Sequence, residues 1–169
     1  MMLRLVVSVV ILVGLSLIQA TWLPSIAILG ARPDLGLLAV VWLAYRNGPV
    51  EGSAAGFISG LVDDAMSAAP FGFNAAVKTL SAWLASFLHG SIQLDRVIMP
   101  VLLGAATTLF KAVWSTFLAL LFGNQLASYD FGGRILWVET AYNAVLAPIL
   151  FAILGGIFSI VDSKRRNAS

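Results

Sequence analysis

The chain has 169 residues, of which 60% are hydrophobic and 11% are charged. Soluble globular domains carry about 25% charged and roughly 45–50% apolar residues. The composition therefore argues against a water-soluble enzyme, a disordered regulator or a coiled coil, and favours a membrane protein. A formal net charge of +2 is too small to indicate nucleic-acid binding, and the lack of cysteine excludes disulfides, thiol catalysis and cysteine-ligated metals.

Uncharged stretches long enough to cross a bilayer occur at 5–31, 112–129 and 140–161. A membrane helix needs about 20 mostly apolar residues. Isolated charges interrupt the middle of the chain, so the second to fourth helices are expected to be tilted, short or partly re-entrant. We predict an all-α polytopic membrane protein, a single transmembrane domain over 1–169 with six helices in one bundle. The predicted helices cover 5–23, 30–46, 51–67, 72–91, 97–122 and 136–161.

The N-terminal segment is expected to remain as the first membrane helix. Arg4 precedes an apolar run over 5–18, as in a secretory signal. A cut after Ala20 would place Ile18 where signal peptidase sites carry a small residue. Cleavage is therefore not predicted.

Lysine and arginine in short loops predict the orientation in the inner membrane. With six helices both termini share one side, and that side carries more basic residues than the other, so both termini are expected in the cytoplasm. Trp42 and Tyr45 would then lie near the inner interface, and Trp22, Tyr129 and Trp137 near the outer one. The side of the termini would hold Arg4, Arg46, Arg96, Lys164, Arg165 and Arg166, and the other side Arg32 and Arg134.

Glycine recurs at every fourth position of the predicted third helix, at Gly52, Gly56 and Gly60, and Asp64 continues the series. Residues four apart share one helix face. Small residues along such a face let another helix approach closely within a membrane. The ridge is expected either to pack against a sister helix or to dock another membrane protein, and the two roles are compatible.

Ionisable residues within the predicted helices suggest an intramembrane polar network of Asp63, Lys78, Lys111 and Glu139. Adjacent helical residues diverge by about 100°, so Asp63 and Asp64 do not form a facing catalytic pair. They are expected to anchor the interface or to pair with a lysine. Lys111, near mid-bilayer, is expected to contact Glu139 and one of these two aspartates. Alternatively, each lysine snorkels or faces a hydrated crevice, or lines a substrate path.

Other residues carry weaker chemical signals. His89 is the only histidine, and one imidazole does not build a typical zinc site. Ser59 and His89 are expected near different depths of the membrane, which argues against an intramembrane serine protease. We therefore predict no metal, no cofactor and no catalytic residue.

Prolines and glycines are expected to mark turns and helix ends. Gly48-Pro49 predicts a tight turn, with proline opening the third helix. Asn74 is a candidate N-cap for the fourth helix. Pro148 lies inside the sixth helix, where it is expected to cause a kink, with Asn143 nearby as a polar partner.

A set of short motifs covers most of the chain. In order, they are Arg32-Pro33-Asp34, Trp42-Leu-Ala-Tyr45-Arg46, Gly48-Pro49, Gly56-Phe57-x-x-Gly60-Leu61-x-x-Asp64-x-x-Ser67, Gly72, and Asn143-x-x-x-x-Pro148. Together they resemble the bacterial rod shape-determining protein MreD family. The part from Pro33 to Gly72 is the most specific, whereas residues 91–135 match only in hydropathy.

The resemblance implies a non-catalytic inner-membrane scaffold subunit of the cell-elongation complex. Such a subunit binds MreC, and through it MreB, RodA and the elongation-class penicillin-binding transpeptidase, to organise sidewall peptidoglycan synthesis. The glycine ridge and the outer loops are expected to bind the partner. The residues predicted to pack helices or bind partners are Pro33, Asp34, Gly48, Pro49, Gly52, Gly56, Phe57, Gly60, Asp64, Gly72, Asn143 and Pro148.

An alternative comes from a second resemblance. MreD-type proteins look like the six-helix substrate-capture subunits of energy-coupling-factor vitamin transporters, which hold a small ligand in an outward-facing cavity. Asp63, Asp64, Lys78 and Glu139 all map toward the predicted outer half. A water-filled pocket lined by these residues would favour ligand capture, whereas a closed apolar centre would favour the scaffold.

Overall fold

The computed structural model describes residues 2–22, 27, 29–67, 69–90, 97–122 and 130–166. The predicted all-α, six-helix architecture is confirmed over these residues. The helices are α1 (Met2–Thr21), α2 (Leu35–Asn47), α3 (Pro49–Met66), α4 (Phe73–Ser86), α5 (Ile98–Phe122) and α6 (Arg134–Arg166).

Helix α2 is the centre of the bundle and contacts all five other helices. Every residue from Gly36 to Ala44 is buried. A helix that is apolar all round has no face suited to water, so it is enclosed by other helices. Around it, α3 packs most extensively with α4, and α5 with α6. Large side chains of α6, such as Phe151 and Phe158, complete the core on one side.

The helices differ in length relative to a bilayer. Two described stretches are long and apolar enough to cross one, Ile98–Leu121 and Arg134–Val161. At 1.5 Å per residue, the 13 residues of α2 reach about 20 Å, less than the roughly 30 Å of a hydrocarbon core. Helix α4, with 14 residues, is similarly short. The predicted ranges 30–46 and 72–91 were therefore too long as helices.

The start of α2 explains part of this difference. Proline disfavours helical geometry in the residue before it, so a helix does not begin at Gly30 and run through Pro33. Asp34 is the N-cap instead, and its carboxylate accepts a hydrogen bond of 2.9 Å from the Leu37 N–H. A side-chain oxygen at this position satisfies one of the free N–H groups of the first turn.

A single residue, Gly48, connects α2 to α3. Its φ of 92° lies in the region that glycine adopts without strain, and its N–H donates to the Ala44 carbonyl. Pro49 is the first residue of α3, as predicted. His89, after α4, packs beside Gly48, and its Nδ1 lies 2.8 Å from the Tyr45 carbonyl oxygen.

The prediction that Asn74 caps α4 is wrong. Gly72 is the N-cap residue, in the left-handed conformation. The capping acceptor is the Asp64 carboxylate from the last turns of α3, which accepts from the N–H groups of Gly72 (2.9 Å), Asn74 (2.8 Å) and Ala75 (3.2 Å). A carboxylate across the α3–α4 turn outcompetes a local amide because it satisfies three donors and complements the helix dipole.

Trp42, expected near the inner interface, is covered by protein. Its side chain is only 5% exposed, and its ring lies 5.0 Å from the ring of Phe158 and 5.2 Å from the Arg46 guanidinium. Because α2 is central, even a residue near its end is covered by α6. Trp22 and Trp137, by contrast, are well exposed. Tyr129 and Arg96, and the side chains of Arg4, Lys164, Arg165 and Arg166, lie outside the described residues.

Helix α6 continues through Pro148 as one helix of 33 residues. Asn143, expected to act as a polar partner near this proline, makes its side-chain hydrogen bonds elsewhere. Its Oδ1 accepts from the Asp34 N–H, and its Nδ2 donates to the Thr108 hydroxyl, both at 2.9 Å. Asn143 therefore links α6 to α5 and to the start of α2. Its side chain does not replace the backbone hydrogen bond that Pro148 removes.

Candidate functional site

The glycine ridge of α3 faces the interior of the chain. A Cβ built on Gly60 would lie 2.5 Å from the Ala75 nitrogen of α4, and one on Gly52 would lie 2.5 Å from the Ala44 Cα of α2. A Cβ on Gly56 would lie 3.0 Å from the Lys78 carbonyl oxygen. The backbones of α2 and α4 thus occupy the groove, so the expectation that it docks another protein is wrong.

Phe57, next to this ridge, points outward instead. Its side chain is 51% exposed, whereas the ridge glycines are buried. A residue adjacent in a helix lies about 100° around the axis from its neighbour. Phe57 therefore belongs to the outer surface, and its neighbour Gly56 to the packing between helices.

Lys78 is enclosed where α2, α3 and α4 meet. The side chain is 3% exposed. Its ammonium forms an ion pair with Asp63 and donates to the Ser59 hydroxyl at 3.0 Å. A Cβ on Gly36 would lie 2.5 Å from the Lys78 Nζ, so the missing side chain at Gly36 makes room for the ammonium.

Lys111 is the centre of a second cluster, which links α5 and α6 to the start of α2. Its Nζ lies 2.7 Å from the Asp34 Oδ2 and 2.9 Å from the Glu139 Oε1. Each of the three side chains is at least four-fifths covered. Charges that are largely covered by protein are costly unless they are paired.

Hydrogen bonds extend this cluster to α1. Besides the Leu37 N–H, the Asp34 Oδ1 accepts from the Gln19 Nε2 at 3.4 Å, and the Gln19 Oε1 accepts from the Gly36 N–H at 3.1 Å. With the Asn143 bonds, Asp34 connects α1, α2, α5 and α6. Sequence reasoning missed Gln19, although a lone amide inside an apolar run was a visible signal.

The predicted polar network is therefore two clusters. Asp63 contacts Lys78, while Glu139 contacts Lys111, and the aspartate that reaches Lys111 is Asp34 rather than Asp63 or Asp64. Asp34 was expected only to pack helices. Its side chain was not recognised as a lysine partner because 77 residues separate it from Lys111.

A partly open cavity of about 630 Å³ borders the Lys111 cluster. It lies at the end of the bundle where α1 ends and where α2, α4 and α6 begin. Of the four residues expected around an outer cavity, Glu139 lines it, whereas Asp63, Asp64 and Lys78 do not. The lining comprises Gln19, Gly30, Ala31, Arg32, Pro33, Asp34, Phe73, Lys111, Ser115, Asp130, Gly133, Arg134, Ile135, Leu136 and Glu139.

Charged side chains line the cavity at this end of the bundle. No group of three or more histidine, cysteine, aspartate or glutamate side chains suited to a metal occurs in the described part of the chain. Ser59 is engaged by Lys78, and His89 lies at the opposite end of the bundle, beside the α2–α3 turn. The arrangement can hold helices together and offer charges to a polar group.

Comparison with known protein families matches residues 1–157 to rod shape-determining protein MreD. The match spans α1 to α5 and most of α6, so it includes both lysine clusters and the cavity. No curated protein and no solved structure matches the chain.

Proposed function

This chain belongs to the MreD family of rod shape-determining proteins, and on that premise we propose that it is the scaffold subunit that binds MreC. The family is a non-catalytic membrane family of bacterial cell elongation, and this description holds for the chain. Through MreC, the subunit would organise MreB, RodA and the elongation-class penicillin-binding transpeptidase. We further propose one transmembrane domain over 1–169 in the inner membrane, with both termini cytoplasmic.

The observation that carries this proposal is an outward aliphatic stripe on α6 with an open glycine. Ile149, Ile153 and Ile160 are 55–59% exposed. Gly156 lies among them, and a Cβ built on it would meet no atom within 4 Å. The α3 ridge glycines, in contrast, are all filled by sister helices. An unfilled small residue on an outer face supports close approach of another membrane helix.

The length of α6 favours this face over the corresponding face of α1. Gly14 on α1 is open in the same way, but α1 has 20 residues, whereas α6 has 33. The apolar part of α6, Arg134–Val161, is long enough to cross the bilayer. A partner helix along α6 would bury its stripe over the full membrane thickness, so we assign the membrane helix of MreC to this face.

Co-purification with MreC tests the assignment. Gly156→Leu fills the notch without touching the core, so the folded yield should stay near wild type while MreC recovery falls about tenfold, as expected for a loss of about 1.4 kcal/mol. Ala106→Leu is the matched control, since Ala106 is exposed on α5 and should retain MreC. Wild-type recovery of MreC with Gly156→Leu would exclude docking at this position.

Ligand capture of the vitamin-transporter type is the second candidate, and the cavity is the observation in its favour. Three of the four residues expected to line such a cavity make contacts elsewhere. Asp63 and Lys78 form an ion pair with each other, and Asp64 caps α4. The centre of the bundle is filled by α2. Family membership and a closed centre therefore favour the scaffold, and tight binding of a soluble vitamin by the purified subunit would favour capture.

A further inference from the structure

We propose that the cavity beside Lys111 binds the headgroup of an ammonium-bearing zwitterionic phospholipid, of the phosphatidylethanolamine class. The ammonium would lie inward at Asp34 and Glu139, and the phosphate outward at Arg32 and Arg134. This adds a lipid site to the scaffold role and does not depend on which protein occupies the α6 stripe.

The buried part of the cavity carries excess negative charge. Asp34 and Glu139 are 7% and 5% exposed, and both pair with the same ammonium of Lys111. The charge of Lys78, which pairs with Asp63, also acts on Asp34. Three carboxylates against two lysines leave an excess of one negative charge. A primary ammonium offers three N–H donors, so a second ammonium can bond to these carboxylates and balance the cluster.

The outer part of the cavity carries the opposite excess. Arg32, Arg134 and Asp130 line it and are exposed, which gives two positive charges against one negative charge. Asp130 is occupied by its own turn, where it accepts from the Gly132 N–H at 2.9 Å. Neither arginine pairs with an acidic residue within the described segments. Guanidinium groups bind phosphate oxygens with paired hydrogen bonds.

Helix α6 adds to the phosphate end. Its first residue is Arg134, so the free N–H groups of its first turn lie at the cavity. The start of a helix carries a partial positive charge that favours anions. The cavity thus has excess negative charge at its inner end and excess positive charge at its outer end. This arrangement matches a headgroup with a terminal ammonium and a phosphate one ethylene unit away.

The cavity has the size and the border expected for a lipid headgroup. Its volume of about 630 Å³ lies within the roughly 300–1,000 Å³ typical of small-molecule sites. Ile135 lines the cavity and is also 51% exposed, so the polar space continues onto the apolar surface of α6. The exposed Trp137 donates to the Phe131 carbonyl beside this edge. Acyl chains have an apolar path there, which favours a lipid over a soluble zwitterion.

Native mass spectrometry of the full-length protein tests this site with an equimolar mixture of phosphatidylethanolamine, phosphatidylglycerol and phosphatidylcholine. Phosphatidylglycerol lacks the ammonium, and phosphatidylcholine has no N–H donor. We expect the phosphatidylethanolamine adduct to exceed each of the others about tenfold, as one charge-assisted contact of about 1.4 kcal/mol predicts. Equal retention of the three lipids would overturn the proposal.

Two variants assign the two ends of the headgroup. Arg134→Gln should lower retention of phosphatidylethanolamine about tenfold, whereas Arg46→Gln, which removes an exposed arginine at the opposite end, should not. Glu139→Gln removes the inner excess, so the preference for phosphatidylethanolamine over phosphatidylglycerol should disappear while Arg134 still holds the phosphate. An unchanged preference in Glu139→Gln, or unchanged retention in Arg134→Gln, would contradict the assignment.

Soluble O-phosphoethanolamine distinguishes a lipid from a free solute with the same chemistry. If the acyl chains contribute, millimolar O-phosphoethanolamine should displace little bound lipid. Displacement at micromolar concentration would show a site for a soluble zwitterion and would overturn the lipid proposal. MreC recovery, measured in parallel with Arg134→Gln, should stay at the wild-type level, so failure of this site and failure of the scaffold role give different results.

Discussion

The two lysines held in ion pairs, Lys78 and Lys111, occupy environments with different charge balance. Lys78 is enclosed among α2, α3 and α4, where it forms a direct ion pair with Asp63 and also acts electrostatically on Asp34. Lys111 pairs directly with two carboxylates, Asp34 and Glu139, and borders an open cavity. A lysine inside a membrane helix is thus neutralised internally in the first region, whereas the second region keeps a negative excess that an external cation can balance.

The region around Lys78, where α2, α3 and α4 meet, should lose more stability when side-chain volume is added than the outer face of α6. Gly60→Leu places a side chain against the Ala75 backbone of α4, which cannot rotate away. We expect a loss of more than about 3 kcal/mol, at the upper end for overpacking, and little folded protein. Unfolding in SDS, followed by circular dichroism, measures this, with Gly156→Leu as the matched outward-facing control. Equal stability of the two variants would contradict the tight α3–α4 contact.

Removal of Lys111 should cost more than removal of Lys78. Lys111→Met leaves two covered carboxylates facing each other, so we expect a loss of about 3–5 kcal/mol, as for broken buried ion pairs. The double variant Lys111→Met/Glu139→Gln leaves a single carboxylate and should recover part of that loss. The same SDS titration checks both variants, and a double variant less stable than Lys111→Met would argue against repulsion between the carboxylates.

Lys78→Met should have the smallest effect of the three. Asp63 is 19% exposed, so its carboxylate can turn toward water when the ammonium is removed. The Ser59 hydroxyl loses one donor, for a total loss of about 1–3 kcal/mol. Comparison with Lys111→Met under identical conditions tests the order. A greater loss for Lys78→Met would show that enclosure, rather than charge balance, sets the cost.

Sequence reasoning succeeded where the signal was local. The Gly48-Pro49 turn follows from the backbone preferences of two residues, and the long apolar helices α5 and α6 follow from composition. It missed the cap of α4 and the burial of Trp42 for one reason. Both assignments used neighbours in the chain, whereas Asp64 across a turn and Phe158 from another helix decided the outcome.

The glycine ridge shows the same division. Its spacing establishes that one face of α3 accepts a close backbone, but the spacing is identical whether that backbone belongs to the chain or to a partner. The structure places α2 and α4 there and leaves Gly156 open on α6. No local pattern separates a filled glycine from an unfilled one, because the difference lies in residues far away in sequence.

Composition and hydropathy by themselves determined a helical membrane protein without cysteine chemistry, and motif order indicated its family. Only the tertiary structure decided which carboxylate meets which lysine, since Asp34 pairs with a residue 77 positions away. The reason is physical: helix formation depends on contacts three or four residues apart, which a sequence displays directly. The pairing of charges depends on how whole helices pack around α2.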